Sequence, residues 1–154
     1  MILIAICGAK NSGKESLAMK LSRNSDCIWI KPYTDKEYPV NIEDWEQDDM
    51  IHLNEKQLDN KMDHEIPLVV IEIKGYRYVF FENQLRADFV VLIADDNVVS
   101  YLKREWNGDL ITIKCHSKEE SYSERNLLPD SEFDLIYHKE TTDYEDFESQ
   151  IVYR

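Results

Sequence analysis

The chain has 154 residues, enough for one domain with a sizeable core, and residues 1–154 are expected to form a single domain. Its 31 acidic against 18 basic residues give a formal net charge of -13, which argues against a nucleic-acid surface built on clustered Lys and Arg. No apolar run approaches the roughly 20 residues that span a bilayer, so no membrane partner is expected. The short N-terminal apolar run lacks the flank and cleavage site of a signal peptide. Cys7, Cys27 and Cys115 show neither disulfide nor zinc spacing; they read as small buried apolar residues of a cytoplasmic protein.

Taken in chain order, Ile2–Cys7 reads as a strand, Gly13–Arg23 as a helix and Cys27–Ile30 as a short strand. Asn54–Asp63 is predicted helical, with Leu58 and Met62 four apart on one face. Leu68–Ile73 and Tyr76–Phe81 are strands joined by a turn at Lys74-Gly75, and Phe89–Ala94 is an apolar run typical of a buried parallel strand. Asn97–Trp106 is helical and stops at Asn107-Gly108-Asp109. Leu110–Cys115 and Asp134–Tyr137 are strands, and Tyr144–Val152 closes the chain as a helix. Strands alternating with helices imply an α/β fold, a three-layer sandwich around a mostly parallel central sheet. Ligands of such sheets sit beyond the carboxyl ends of the strands. The loop after Cys7, the segment after Ile30 and the ends at Ile73 and Ala94-Asp95-Asp96 are therefore expected to converge.

The run Gly8-Ala9-Lys10-Asn11-Ser12-Gly13-Lys14-Glu15-Ser16 sits between the first strand and the first helix, the setting a phosphate-binding loop needs. Glycines let the backbone curl so that successive N–H groups face one anion, and the helix N-terminus adds partial positive charge. Lys14 can reach the outer phosphates of a nucleotide. The usual Ser or Thr after the lysine, whose hydroxyl touches magnesium, is replaced by Glu15, with Ser16 next. Glu15 either ligates Mg2+ in that place, or repels a triphosphate, or simply favours a helix N-terminus.

This loop resembles that of phage-type deoxynucleoside monophosphate kinases, where an acidic residue often follows the lysine and Ser or Thr comes next. Val90-Val91-Leu92-Ile93-Ala94-Asp95 resembles the family's strand ending in Asp. Leu110–Ile113, Ser123-Glu124 and Asp134-Leu135-Ile136-Tyr137 resemble its later segments, and Pro32-Tyr33-Thr34-Asp35 resembles the nucleobase segment of guanylate kinases. The resemblance implies a P-loop kinase-like fold and phosphoryl transfer from ATP, with Mg2+, to a (deoxy)nucleoside monophosphate. It departs in one place: the arginine usual just past the Asp is replaced by Asp96-Asn97.

Such kinases need cations around the moving phosphate. Of six arginines, Arg23, Arg104 and Arg154 have surface or terminal positions. Arg77 and Arg86 are candidates to clamp the monophosphate, and Arg125 is a candidate lid cation, with Lys10 and Lys31 in reserve. Tyr33 and Trp45 can stack a base or simply pack; Asp35 can bond base or ribose or shape a turn. Asp95 can hold magnesium through water or cap the next helix. His52, His64, His116 and His138 have no ligand spacing to one another. The acidic runs Glu43–Asp49 and Glu119–Glu148 read as solvated faces, or as a docking surface for a basic protein partner. A kinase-like protein without turnover, acting through such a partner, is the alternative reading; a homodimer is left open.

Overall fold

A computed structural model describes residues 1–37, 50–121 and 128–152. In chain order the described elements are β1 Ile2–Gly8, α1 Lys14–Leu21, β2 Cys27–Trp29, β3 Tyr33–Thr34, β4 Ile51–His52, α2 Glu55–His64, β5 Pro67–Ile73, β6 Tyr76–Phe81, a 3-10 turn Glu82–Gln84, β7 Phe89–Ile93, α3 Asp96–Glu105, β8 Asp109–His116, a second 3-10 turn Asp130–Glu132, β9 Leu135–His138 and α4 Tyr144–Val152. They fall into two compact units, one of Met1–Trp29 with Ala87–Arg154, the other of Ile30–Arg86. No described helix is long and apolar enough to cross a membrane.

The first unit is built on a five-stranded sheet in the order β2-β7-β1-β8-β9, with every pair parallel. Its strands are apolar on both faces because both faces are covered. Ile4 and Ile6 of β1 share one cluster with Ile111, Ile113 and Cys115 of β8, Leu17, Ala18 and Leu21 of α1, and Phe147 and Ile151 of α4. The alternate residues Leu3, Ala5 and Cys7 point to the opposite face, where α3 packs against β1 and β8. This is the expected α/β arrangement, a parallel central sheet flanked by helices. The chain leaves β1 for β2 on one side and crosses from β7 to β8 on the other. The carboxyl end of β1 is thus the point where the winding reverses, the usual ligand crevice of an open α/β sheet.

The second unit holds a separate four-stranded sheet in the order β4-β3-β6-β5, and here the strand expectation needs correcting. Leu68–Ile73 does not join the parallel sheet: β5 pairs antiparallel with β6, so Ile73 is not one of the parallel carboxyl ends. Its burial alternates, Val69 and Ile71 buried, Leu68, Val70 and Glu72 exposed, as in an edge strand covered on one face. The turn at Lys74-Gly75 is where it was expected; both residues have positive φ, 53° and 84°, which suits the tight turn of a twisted hairpin. Helix α2 starts at a capping box: Asn54 Oδ1 accepts from the Gln57 N–H, and Gln57 Oε1 accepts from the Asn54 N–H. Leu58, Val79 and Phe81 form a small core edged by Tyr33, Leu53 and Met62.

Candidate functional site

The Gly8–Ser16 segment forms a tight loop at the end of β1. The Ser12 N–H donates to the Ala9 carbonyl at 3.1 Å, and Asn11 and Gly13 adopt positive φ, 63° and 94°. Gly8 has no room for a side chain: a Cβ there would stand 2.3 Å from Ser12 Oγ and 3.0 Å from the Cys115 carbonyl oxygen. Gly13 is the N-cap residue of α1, and no side chain caps the helix. Its first-turn amides, at Lys14, Glu15 and Ser16, therefore lack intrahelical acceptors. Lys14 Nζ folds back onto the Gly8 carbonyl at 3.2 Å. Ser12 is fully buried, and its Oγ has no hydrogen-bond partner among the described residues. A curled loop, open helix amides, a lysine on the Gly8 carbonyl and a buried hydroxyl without a partner among the described residues form an arrangement that can accept an anion.

Neighbouring strand ends complete the surroundings. Lys10 and Ser121 form a single antiparallel bridge, with the Ser121 N–H donating to the Lys10 carbonyl at 2.8 Å. The Ala94 N–H donates to the Ile6 carbonyl at 2.9 Å, which places the start of α3 beside the loop. There Asp95 caps the helix through Oδ1, accepting from the Val98 N–H at 2.9 Å, and Asp96 Oδ1 accepts from Cys7 Sγ at 3.1 Å. Burial, the Asp96 hydrogen bond and the Asp96 charge push the Cys7 thiol up to about 12, so it stays neutral. Cys115 below the loop is also pushed to about 12, chiefly by burial, with Lys14 opposing and Glu15 and Glu120 adding to the rise.

As donors for a magnesium ion, Glu15 and Ser16 lie half-buried in the first turn of α1, and Asp95 is exposed with one carboxylate oxygen committed to its cap. No group of three or more His, Cys, Asp or Glu side chains converges as a metal site among the described residues. This donor set suits an ion that arrives with phosphates and keeps its waters, since Mg2+ is commonly held by one or two carboxylates plus phosphate oxygens.

The first unit thus gathers Gly8, Lys10, Asn11, Ser12, Gly13, Lys14, Glu15, Ser16 and Asp95. Tyr33, Asp35, Arg77 and Arg86 belong to the second unit. There Tyr33 packs edge-on against Phe81, with centroids 5.4 Å apart, and carries Lys61 Nζ over its ring at 4.5 Å. Asp35 and Arg77 are partners of each other. Arg77 also donates through one terminal nitrogen to Asp59 Oδ1 at 2.5 Å and through the other to the Glu55 carbonyl at 3.4 Å. Arg86 is exposed and has no partner among the described residues. Arg125, Ser123-Glu124, Trp45 and the acidic run Glu43–Asp49 lie outside the described residues.

Two features went unread in the sequence. Lys139, directly after β9, lays its stem on Gly13: a Cβ at Gly13 would meet Lys139 Cδ at 3.0 Å. The available signal was its place at a parallel strand end. His116, at the end of β8, faces Glu120 through Nδ1 (3.1 Å) and Asp130 through Nε2 (2.9 Å) and stacks on His138. His116 and Glu120 stand one helical repeat apart in a segment that is not a helix, so their spacing carried no signal.

No protein-family model matches the sequence, and no curated protein matches it. Among solved structures the chain is similar to the crystal structure of a guanylate kinase from Anaplasma phagocytophilum. The TM-score is 0.53 over 99% of this chain and 82% of that one, at 11% sequence identity. A likeness at that identity concerns the fold, which is consistent with a P-loop kinase-like α/β architecture.

Proposed function

We propose that the chain holds the phosphates of ATP on the Gly8–Ser16 loop and passes the terminal phosphoryl group to a (deoxy)nucleoside monophosphate. The observation that carries this is the nest itself: open first-turn amides of α1, Lys14 over the loop and the buried Ser12 hydroxyl without a partner. The fold likeness to a guanylate kinase supports it and makes GMP and dGMP the first acceptors to try.

In the transfer, an oxygen of the monophosphate bonds to the γ-phosphorus while the bridging β–γ P–O bond breaks, leaving two diphosphates. No side chain need take a proton, because the attacking oxygen is already anionic. Lys14 leaves the Gly8 carbonyl for the phosphates and stabilises charge there. The loop amides fix the chain of phosphates so that the terminal phosphorus is presented in one orientation. Glu15 and Ser16 in the loop, with Asp95 just after the end of β7, would hold a magnesium ion brought with the nucleotide, and that ion would supply neutralisation of phosphate charge. For the acceptor, Arg86 is the arginine of the second unit without a partner among the described residues and is the candidate to meet a phosphate, whereas Arg77 organises its own unit through Asp35 and Asp59.

The test is diphosphate formation from ATP, Mg2+ and each common ribo- and deoxynucleoside monophosphate. Turnover with one or more acceptors, abolished by Lys14→Ala, is expected; no turnover with any acceptor overturns the reading. One observation favours the second reading, a kinase-like protein without turnover. Asp96 stands where the resembled family has arginine, and its carboxylate is held by Cys7. Tight ATP binding without diphosphate formation would select it.

A further inference from the structure

We infer that Lys139 is a second phosphate-binding cation of the Gly8–Ser16 loop, supplied by the segment after β9. This inference rests on the phosphate-loop reading above and adds a residue to it. The backbone at this point is pinned, since the Lys139 N–H donates to the His116 carbonyl at 2.9 Å. Its side chain runs along the loop. A Cβ built on Gly13 would lie 3.0 Å from Lys139 Cδ and 3.3 Å from both its Cβ and Cγ, so the methylene stem lies flat against the loop glycine. Gly13 is buried. The ammonium lies two bonds beyond Cδ and is within reach of the loop while the stem lies there.

That ammonium is exposed and has no carboxylate partner among the described residues. Its nearest acidic neighbour in sequence, Glu140, is committed elsewhere: Oε1 accepts from Ser117 Oγ at 2.5 Å and from the Lys118 N–H at 3.0 Å. A lysine whose stem lies on the loop and whose ammonium has no carboxylate partner among the described residues is arranged for an anion that arrives from outside. The adjoining loop offers the matching donors, the first-turn amides of α1 and the buried Ser12 hydroxyl, which lacks a partner. The need is plain in a chain of net charge -13: a polyphosphate is repelled by the protein as a whole and must be held by local cations. The ligand class is the phosphate chain of a nucleoside triphosphate, contacted on the Gly13 side of the loop.

The experiment is calorimetric titration of wild type, Lys139→Met, Lys139→Gln, Lys139→Arg and Lys14→Ala with MgATP, and separately with magnesium tripolyphosphate, at two salt concentrations. Met keeps most of the stem and removes the charge; Gln removes the charge with a polar end. Both are expected to weaken both ligands by about tenfold or more, with a shallower salt dependence and an unchanged Tm. Lys139→Arg is expected to stay within about threefold of wild type. Binding of both ligands by Lys139→Met and Lys139→Gln within about twofold of wild type, while Lys14→Ala loses them, overturns this inference and leaves the loop reading standing. Loss of MgATP but not tripolyphosphate also overturns it, because the contact is then to the nucleoside. A wild type that binds neither ligand overturns both.

Discussion

Asp35 and Arg77, far apart in the chain, hold each other by two parallel hydrogen bonds. The Arg77 backbone N–H donates to Oδ1 at 2.8 Å and its Nε donates to Oδ2 at 2.9 Å. The two side chains are only 10% and 22% exposed, and a second carboxylate, Asp59, takes another guanidinium nitrogen. These contacts tie the chain after β3 and helix α2 to strand β6. The two carboxylates outweigh the burial and hold Arg77 even further above its ordinary range.

Asp35→Asn should therefore act on stability. It removes the charge from a half-buried pair while keeping the shape, and a hydrogen bond to a charged group contributes on the order of 1.5–3 kcal/mol. A loss of about 2 kcal/mol in urea unfolding is expected. Unchanged stability would mean that the pair acts only in solvent-exposed fashion.

His116 gives the chain a pH dependence. Both ring nitrogens face carboxylates, and only the imidazolium donates to both at once. Burial opposes that charge, but Asp130 and Glu120 outweigh it and hold the imidazole above its ordinary 6.5. A group raised in the folded state stabilises fully below its unfolded value of about 6.5 and loses that contribution as pH rises through the folded value. The Tm difference between wild type and His116→Gln should thus be largest in mildly acidic buffer and shrink on the alkaline side. A difference that grows with pH would contradict the assignment.

The loop glycines separate two costs. Gly13→Ala places a side chain at φ 94°, a conformation that costs about 1–2 kcal/mol for an L residue, and pushes Cβ into the Lys139 stem. Gly8→Ala instead drives Ser12 Oγ out of its place, since the new Cβ would stand 2.3 Å away. Thermal unfolding should show both variants destabilised, and ATP titration should show both weakened. A Gly8→Ala variant with wild-type affinity would show that the loop shape does not hold the phosphates.

Burial leaves the three thiols unreactive. Cys7 and Cys115 are pushed to about 12 and Cys27 to about 11, in each case chiefly by desolvation, and all three are buried. Mass spectrometry after alkylation near neutral pH should find none of them labelled in the native protein and all of them labelled in urea. Rapid native labelling of Cys7 would mean that the β1 end opens.

Much of the first unit was legible because its strands are short apolar runs broken by caps and turns. The helix Tyr144–Val152 there, and the strand Tyr76–Phe81 of the second unit, have the boundaries their patterns predict. Strand β5 was not placed correctly because Leu68 and Val70 are apolar yet exposed, which hides the alternation that marks an edge strand. Strands β3 and β4 are two residues each, too short for any periodic signal, and the four-stranded sheet was missed with them. The Gly8–Ser16 segment could be read as the connection of β1 to α1 because it is contiguous in sequence. The Asp35–Arg77 pair and the Lys139 stem could not, since both depend on contacts between residues distant in sequence.

The most direct test of the proposal that Gly8–Ser16 binds phosphates is a titration of wild type and Lys14→Ala with MgATP under identical conditions, with circular dichroism to show that both are folded. Saturable binding by wild type, weakened by about tenfold or more in Lys14→Ala, is the predicted result. Equal affinity of the two folded proteins, or no binding by either, would contradict the assignment of Gly8–Ser16 as the site that holds the nucleotide's phosphates.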